Sequence, residues 1–98
     1  MEIISIHGRV TGACERKTDR KGHTFLRFKV ACDGEDFAGR PRVTLYRCFT
    51  YNTRHDGLRD GDGVIVSGTL IVSEYNGRCS LDICVTSLTA LPAAENKS

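Results

Sequence analysis

The chain has 98 residues, 40% of them hydrophobic and 27% charged, with a formal net charge of +2. That describes one soluble globular domain with little room for a second core, and a total charge so near zero says little about partners. No apolar run approaches the ~20 residues of a membrane span, and the N-terminus has no basic-then-apolar signal segment, so neither a membrane protein nor a secreted one is expected. The distribution of charge says more than its sum. Between Arg16 and Arg59 there are eleven Lys or Arg against five Asp or Glu, and the remainder is acidic on balance. A basic middle points modestly to a polyanion, although a solvated surface of mixed charge fits the same count.

Strand signals begin at once. In Ile3–Thr11 the residues Ile4, Ile6, Gly8 and Val10 share one phase, and Ile3, Ser5, His7 and Arg9 share the other. Gly12 and the polar run CERKTDRKG read as a loop. Phe25–Cys32 then alternates again, with Leu26, Phe28 and Val30 inward and Phe25, Arg27 and Lys29 outward. DGEDFAGRPR reads as a second loop, rich in charge, Gly and Pro and carrying one aromatic, Phe37. Pro41 cannot donate to a sheet ladder, so the third strand is expected just after it.

That strand spans Val43–Tyr51, and its phase has two readings. If it runs straight, Leu45, Arg47, Phe49 and Tyr51 share one face, with Tyr46, Cys48 and Thr50 on the other. A bulge carries Tyr46 across. Asn52–Gly63 is a polar connector with room for one helical turn around Arg54–Leu58, since Gly57 and Gly61 punctuate it.

Gly61–Val85 carries the strongest pattern. Val64, Val66, Leu70 and Val72 fall on one face with Gly68 in phase, and Ile65, Ser67, Thr69, Ile71, Ser73 and Tyr75 fall on the other. Asn76-Gly77 is a hairpin signal, because both residues tolerate positive φ. Leu81, Ile83 and Val85 then point one way on the returning strand. Mid-strand Gly68 suggests a bulge or a sharp bend in a closing barrel. Five short strands of this size, with one connector between the third and fourth, predict an all-β, five-stranded Greek-key barrel of OB type. It ends in a long β4–β5 hairpin, and the helix between strands 3 and 4 is short or absent. Residues 1–92 make the barrel domain and 93–98 a short disordered tail.

Chemistry of the enzymatic kind has no visible seat. There is no nucleophile with a base and no carboxylate pair in a pocket, and the glycines of DGDG precede a strand rather than the helix a phosphate loop needs. The five cysteines are odd in number and include no C-x-x-C, and His7, His23 and His55 are scattered singly. Neither a disulfide framework, a zinc site nor any cofactor is expected, and free thiols fit a reducing cytosol. What the sequence does supply is aromatic residues among cations, the combination that single-stranded nucleic acid requires for base stacking and phosphate contact. Phe37 precedes Arg40 and Arg42, Arg47, Phe49 and Tyr51 can share a face beside Arg27 and Lys29, and Tyr75 stands at a hairpin tip before Arg78. Packing on a barrel end accounts for any one of these aromatics taken alone.

IISIHGRV, HTFLRFKVACD, YRCFTY and LRDGDGVIVSGTL, in this order and spacing, resemble the bacterial single-stranded DNA-binding proteins across residues 2–91. The resemblance implies aromatics that stack on bases. Phe37 falls at one such position, Tyr51 at another and Tyr75 at a third, while a fourth falls on Leu45 in a gapless match and on Tyr46 in one shifted by a residue. The candidate interface is therefore Arg27, Lys29, Phe37, Arg42, Tyr46, Arg47, Phe49, Tyr51, Tyr75 and Arg78. The family likeness further implies sequence-independent binding of single-stranded DNA in replication, recombination, repair or restart, in the bacterial cytoplasm. It also implies a homo-oligomer, with a tetramer favoured over a dimer. There is no tryptophan, and ENKS stands where housekeeping members carry a linker and acidic tip, so recruitment of partners through the C-terminus is not expected. The sequence is also similar to primosomal replication protein N, of the same fold. The competing reading is an OB-fold protein-interaction module that binds nucleic acid weakly.

Overall fold

The structure, a computed structural model, describes residues 2–91, and the tail expected at 93–98 lies outside them. In chain order come β1 (Glu2–Thr18), β2 (Thr24–Glu35), β3 (Pro41–Thr50), a 3-10 turn (Thr53–His55), β4 (Gly63–Tyr75) and β5 (Arg78–Ala90). They close into a barrel in the order β1-β2-β3-β5-β4, antiparallel except where β3 meets β5. The all-β barrel, its long final hairpin and the stub of helix are those the sequence leads one to expect.

The barrel closes because β1 serves two neighbours. Its first half pairs with β4 from Glu2↔Leu70 to Arg9↔Gly63, and its second half with β2 from Arg9↔Ala31 to Thr18↔Thr24. Within the β2-paired half the register shifts between Thr11 and Glu15, where Gly12 adopts φ 78°. The expected loop after Thr11 is thus a bulge inside one bent strand. The polar run CERKT alternates poorly because this half of the strand lies on the open outside of the barrel. The connector braces the bend: Asp60 Oδ1 accepts from the Gly12 N–H at 2.7 Å, and Val10 exchanges backbone bonds with Asp62 and Gly61.

Inside, the alternation predicted for each strand holds. Val10, Leu26, Phe28, Val30, Cys48, Val64, Val66 and Ile83 are fully buried, and Leu58 of the connector closes one end of their cluster. Burial pushes the Cys48 thiol up to about 12, so it behaves as a small apolar residue. The β2–β3 register runs unbroken from Leu26↔Thr50 to Glu35↔Pro41, so β3 has no bulge. Tyr46 therefore packs toward the core, and Leu45 faces out. Pro41 begins the strand itself rather than preceding it, at a first position where the missing N–H is tolerated. The irregularity sought at Gly68 lies on its partner: Ser67 pairs with Ser87 and Gly68 with Val85, leaving Thr86 of β5 as the extra residue. Gly68 itself permits the close approach, since a Cβ there would sit 2.9 Å from Val85 Cα and against the Cys84 carbonyl.

Two hairpins extend past the barrel at the same end. β3 pairs with β5 only over Arg47↔Asp82 to Phe49↔Cys84, so above that point the β2–β3 and β4–β5 ribbons part. Val72, in phase with the core, lies in the projecting ribbon and is exposed for that reason. Asn76 (φ 53°) and Gly77 (φ 76°) make the tight turn between β4 and β5. Gly68→Ala should lower the unfolding free energy by about 1–3 kcal/mol, the usual cost of overpacking, in urea titrations followed by circular dichroism. An unchanged midpoint would show that β4 and β5 separate freely at this point.

Candidate nucleic-acid interface

The outer face of β2 and β3 carries the chemistry. By alternation Phe25, Arg27 and Lys29 of β2 lie beside Tyr51 and across from Phe49 and Arg47 of β3. Phe25 stands 5.6 Å from Tyr51 and 6.4 Å from Phe49 between ring centroids, so three aromatics form one contiguous group. His23 meets Tyr51 edge-on at 6.5 Å. Phe25 is outward by its phase yet absent from the sequence-derived candidates; its place two residues before Arg27 on the same face is the signal that points to it. Beyond the aromatics lie the cations, lining with Thr11, Gly12, Ala13, Glu15 and Phe28 a groove of about 380 Å³ over the β1 bend.

The cations differ in their freedom. Arg47 makes a two-pronged bond to Asp82 at 2.8 and 3.0 Å, at the point where the two ribbons part, and this carboxylate holds its guanidinium more firmly protonated. Arg27 binds Glu15 at 3.0 Å, which keeps the Glu15 carboxyl below its usual range. Lys29, Arg42 and Arg78 have no ion-pair partner among the described residues, and Arg78 sits directly across from Tyr75. Arg42 falls in the Tyr46 phase, so the ribbon turns it to the opposite side from Arg47. Phe37 is fully exposed at the β2–β3 tip, and Tyr75 is 78% exposed at the β4–β5 tip. Of the candidate residues, the structure gathers Arg27, Lys29, Arg47, Phe49 and Tyr51 on one face. It sets Phe37, Tyr75 and Arg78 on the two arms and turns Tyr46 inward.

The turns at either end of β2 are built alike, a correspondence that the strand pattern alone does not reveal. Asp19-Arg20-Lys21-Gly22-His23 and Asp36-Phe37-Ala38-Gly39-Arg40 each close with the first N–H donating to the fifth carbonyl, at 2.9 and 2.8 Å. In each, the Asp Oδ1 accepts from the third and fifth N–H groups at 2.9 Å. In each, the glycine takes the positive φ that a three-residue hairpin loop needs. The shared spacing D-x-x-G is legible in the sequence. One tip displays two cations and the other an aromatic.

Among the described residues no group of three or more His, Cys, Asp or Glu side chains is placed to hold a metal ion. No family model matches the sequence, and a search of curated proteins found no match. Solved structures do match. The small single-stranded DNA-binding protein from Streptomyces coelicolor superimposes with a TM-score of 0.76 at 22% identity, over 95% of this chain and 95% of that one. The Plasmodium falciparum SSB in complex with ssDNA gives 0.70 at 18% identity, over 94% and 96%. The dimeric N-terminal domain of PriB protein from Thermoanaerobacter tencongensis gives 0.65 at 18%, over 92% and 96%. The chain has an OB fold. At these identities the likeness is one of architecture, and it agrees with the resemblance read from the strand motifs.

The Tyr51 hydroxyl donates to Asp19 Oδ2 at 3.0 Å, which pushes the phenol above its ordinary range. The same carboxyl is held below its usual range, first by the His23 N–H, then by Tyr51 and the Lys21 N–H. Asp19→Ala should therefore return the Tyr51 phenol toward its ordinary range, read by difference absorbance during alkaline titration. A depressed folded pKa gives stability that is fully present above the unfolded carboxylate pKa and is lost as the pH falls through the folded one. The stability gap between the unmodified protein and Asp19→Ala should then shrink as pH falls through the lowered value. A gap that grows on acidification would contradict the assigned bonds.

Proposed function

We propose that this protein binds single-stranded DNA without regard to base sequence, as a non-enzymatic participant in replication, recombination, repair or restart. The observation that carries this is the contiguous Phe25–Phe49–Tyr51 group running into Arg27, Lys29 and Arg47 on one exposed sheet face. Flat rings accept bases of any identity, and the adjacent cations accept phosphates, which is the combination that tolerates sequence and tracks a backbone. Phe37 and Tyr75 on the two arms extend the surface a strand could follow. Structural neighbours described as single-stranded DNA-binding proteins lend the same reading support.

The proposal extends to assembly. Residues 2–8 of β1 pair with β4 on one edge only, and Ile3 is 73% exposed beside it. An unpaired edge favours pairing with its own copy about a two-fold axis. A homo-oligomer is the outcome we assign, with a tetramer preferred to a dimer; light scattering showing a monomer at micromolar concentration would contradict it.

Titration of labelled oligo-dT at low and high salt tests the function. Affinity should fall with salt with a slope of about −0.7 per phosphate neutralised, and Lys29→Ala should weaken binding alike for every base composition. Tyr75→Ala should cost about 1–3 kcal/mol if a base lies on its ring. Absence of binding, or preference for duplex, would favour a protein-interaction module instead.

A further inference from the structure

Arg47 has two cross-strand neighbours of opposite charge. On β2 it faces Lys29, and on β5 it faces Asp82, the residue that holds it. Asp82 lies on the outer side of β5, since Ile83 beside it is fully buried. It therefore shares the face that carries Arg47 and Phe49, at the fork where the two ribbons part.

The carboxylate is fixed by three donors. Its Oδ1 accepts from Arg47 Nε at 2.8 Å and from the Ser80 hydroxyl at 3.1 Å, and its Oδ2 accepts from Arg47 Nη2 at 3.0 Å. No other cation pairs with it among the described residues, and its neighbour on β4 is the apolar Ile71. The second carboxylate of this region, Glu15, is held more loosely. It is 52% exposed against 23% for Asp82, and it meets Arg27 through a single nitrogen.

A carboxylate and a phosphate offer a guanidinium the same pair of oxygens, and both prefer the two-pronged arrangement. The Nε–Nη2 edge of Arg47 is thus already filled by an anion, and the charge of that anion repels a second one. Arg47 lines the groove over the β1 bend together with Arg27 and Lys29, so the occupied edge belongs to the surface a strand would cross.

We propose that Asp82 is a built-in competitor of the DNA strand: it occupies Arg47 in the free protein, and a phosphate gains the two-pronged edge of Arg47 only by displacing it. Ser80 positions the competitor. This rests on the strand-binding reading and assigns a regulation to that same surface, an affinity held below what its cations would otherwise give.

Labelled oligo-dT titrations of single and double variants test it. Asp82→Asn keeps the size of the side chain and an acceptor oxygen but loses the charge. It should bind about threefold more tightly than the unmodified protein, in keeping with the small worth of a surface ion pair. In an Arg47→Gln background the same substitution should change nothing, because the competitor then has nothing to occupy. Ser80→Ala removes one hydrogen bond from Asp82 and no charge, and should give a smaller gain in the same direction. Asp56→Asn is the reference: it removes an equal charge from the exposed Arg16–Asp56 pair, which lies off the groove, and its gain should be well below that of Asp82→Asn.

If the unmodified protein fails to bind oligo-dT, the strand-binding reading falls and the competitor with it. If it binds and Asp82→Asn is unchanged or weaker, the competitor alone is overturned, and a weaker variant would make Asp82 a support for Arg47 instead. A gain that survives in Arg47→Gln, or that Asp56→Asn matches, would reduce the effect to net charge and also overturn it. Should Asp82→Asn not fold, Ser80→Ala decides: tighter binding upholds the competitor, and unchanged binding overturns it.

Discussion

A five-stranded sheet becomes this barrel only because β1 passes from β4 to β2 at Arg9 and turns a corner at Gly12, three residues further on. The corner is a bulge with one left-handed residue, and it is held from outside by Asp60 on the Gly12 N–H and by Val10 bonded to the connector. Everything else follows from closure. Once the barrel is shut, each strand has an inside and an outside, and the period-two pattern sends Leu26, Phe28 and Val30 to the core. The intervening Phe25, Arg27 and Lys29 are forced out together. The candidate interface is thus the complement of the core, written in the alternate residues of the same strand.

Electrostatics then separates cations that look equivalent in the sequence. The local excess of Lys and Arg in the middle of the chain is partly cancelled by carboxylates: Arg16 meets Asp56, Arg40 meets Asp36, Arg27 and Lys17 meet Glu15, and Arg47 meets Asp82. These pairs lie at the surface, where solvent screening leaves them little net worth. A phosphate can therefore exchange for the carboxylate at small cost, and Arg27 and Arg47 are available though not idle. Lys29, Arg20 and Lys21 need no such exchange. The basic character that matters for a polyanion is a property of the face, and the net charge of +2 conceals it.

How much of this could be read from the sequence depends on which force fixes each feature. The strands, the Asn76-Gly77 turn and the inward phases are legible, because burial imposes period two and positive φ selects its residues. The bend in β1 is not, since a bulge breaks the phase and leaves a polar outer half that reads as loop. Tyr46 is undecidable for a related reason: only the unbroken pairing with β2 shows which side of β3 it takes. Arg27, Lys29, Arg47, Phe49 and Tyr51 can be grouped from the sequence because one strand face collects them. Phe25 and the β1–β2 turn escape because their value comes from neighbours distant in the chain, Tyr51 above all.

The central claim is that single-stranded DNA lies on the outer face of β2 and β3. Photo-crosslinking to an oligo-dT carrying 5-iodouracil, with adducts mapped by mass spectrometry, addresses it directly. The account predicts adducts at Phe25, Phe49 and Tyr51. Adducts confined to the opposite outer face, at residues such as Ile65 and Ile71 of β4, would contradict it.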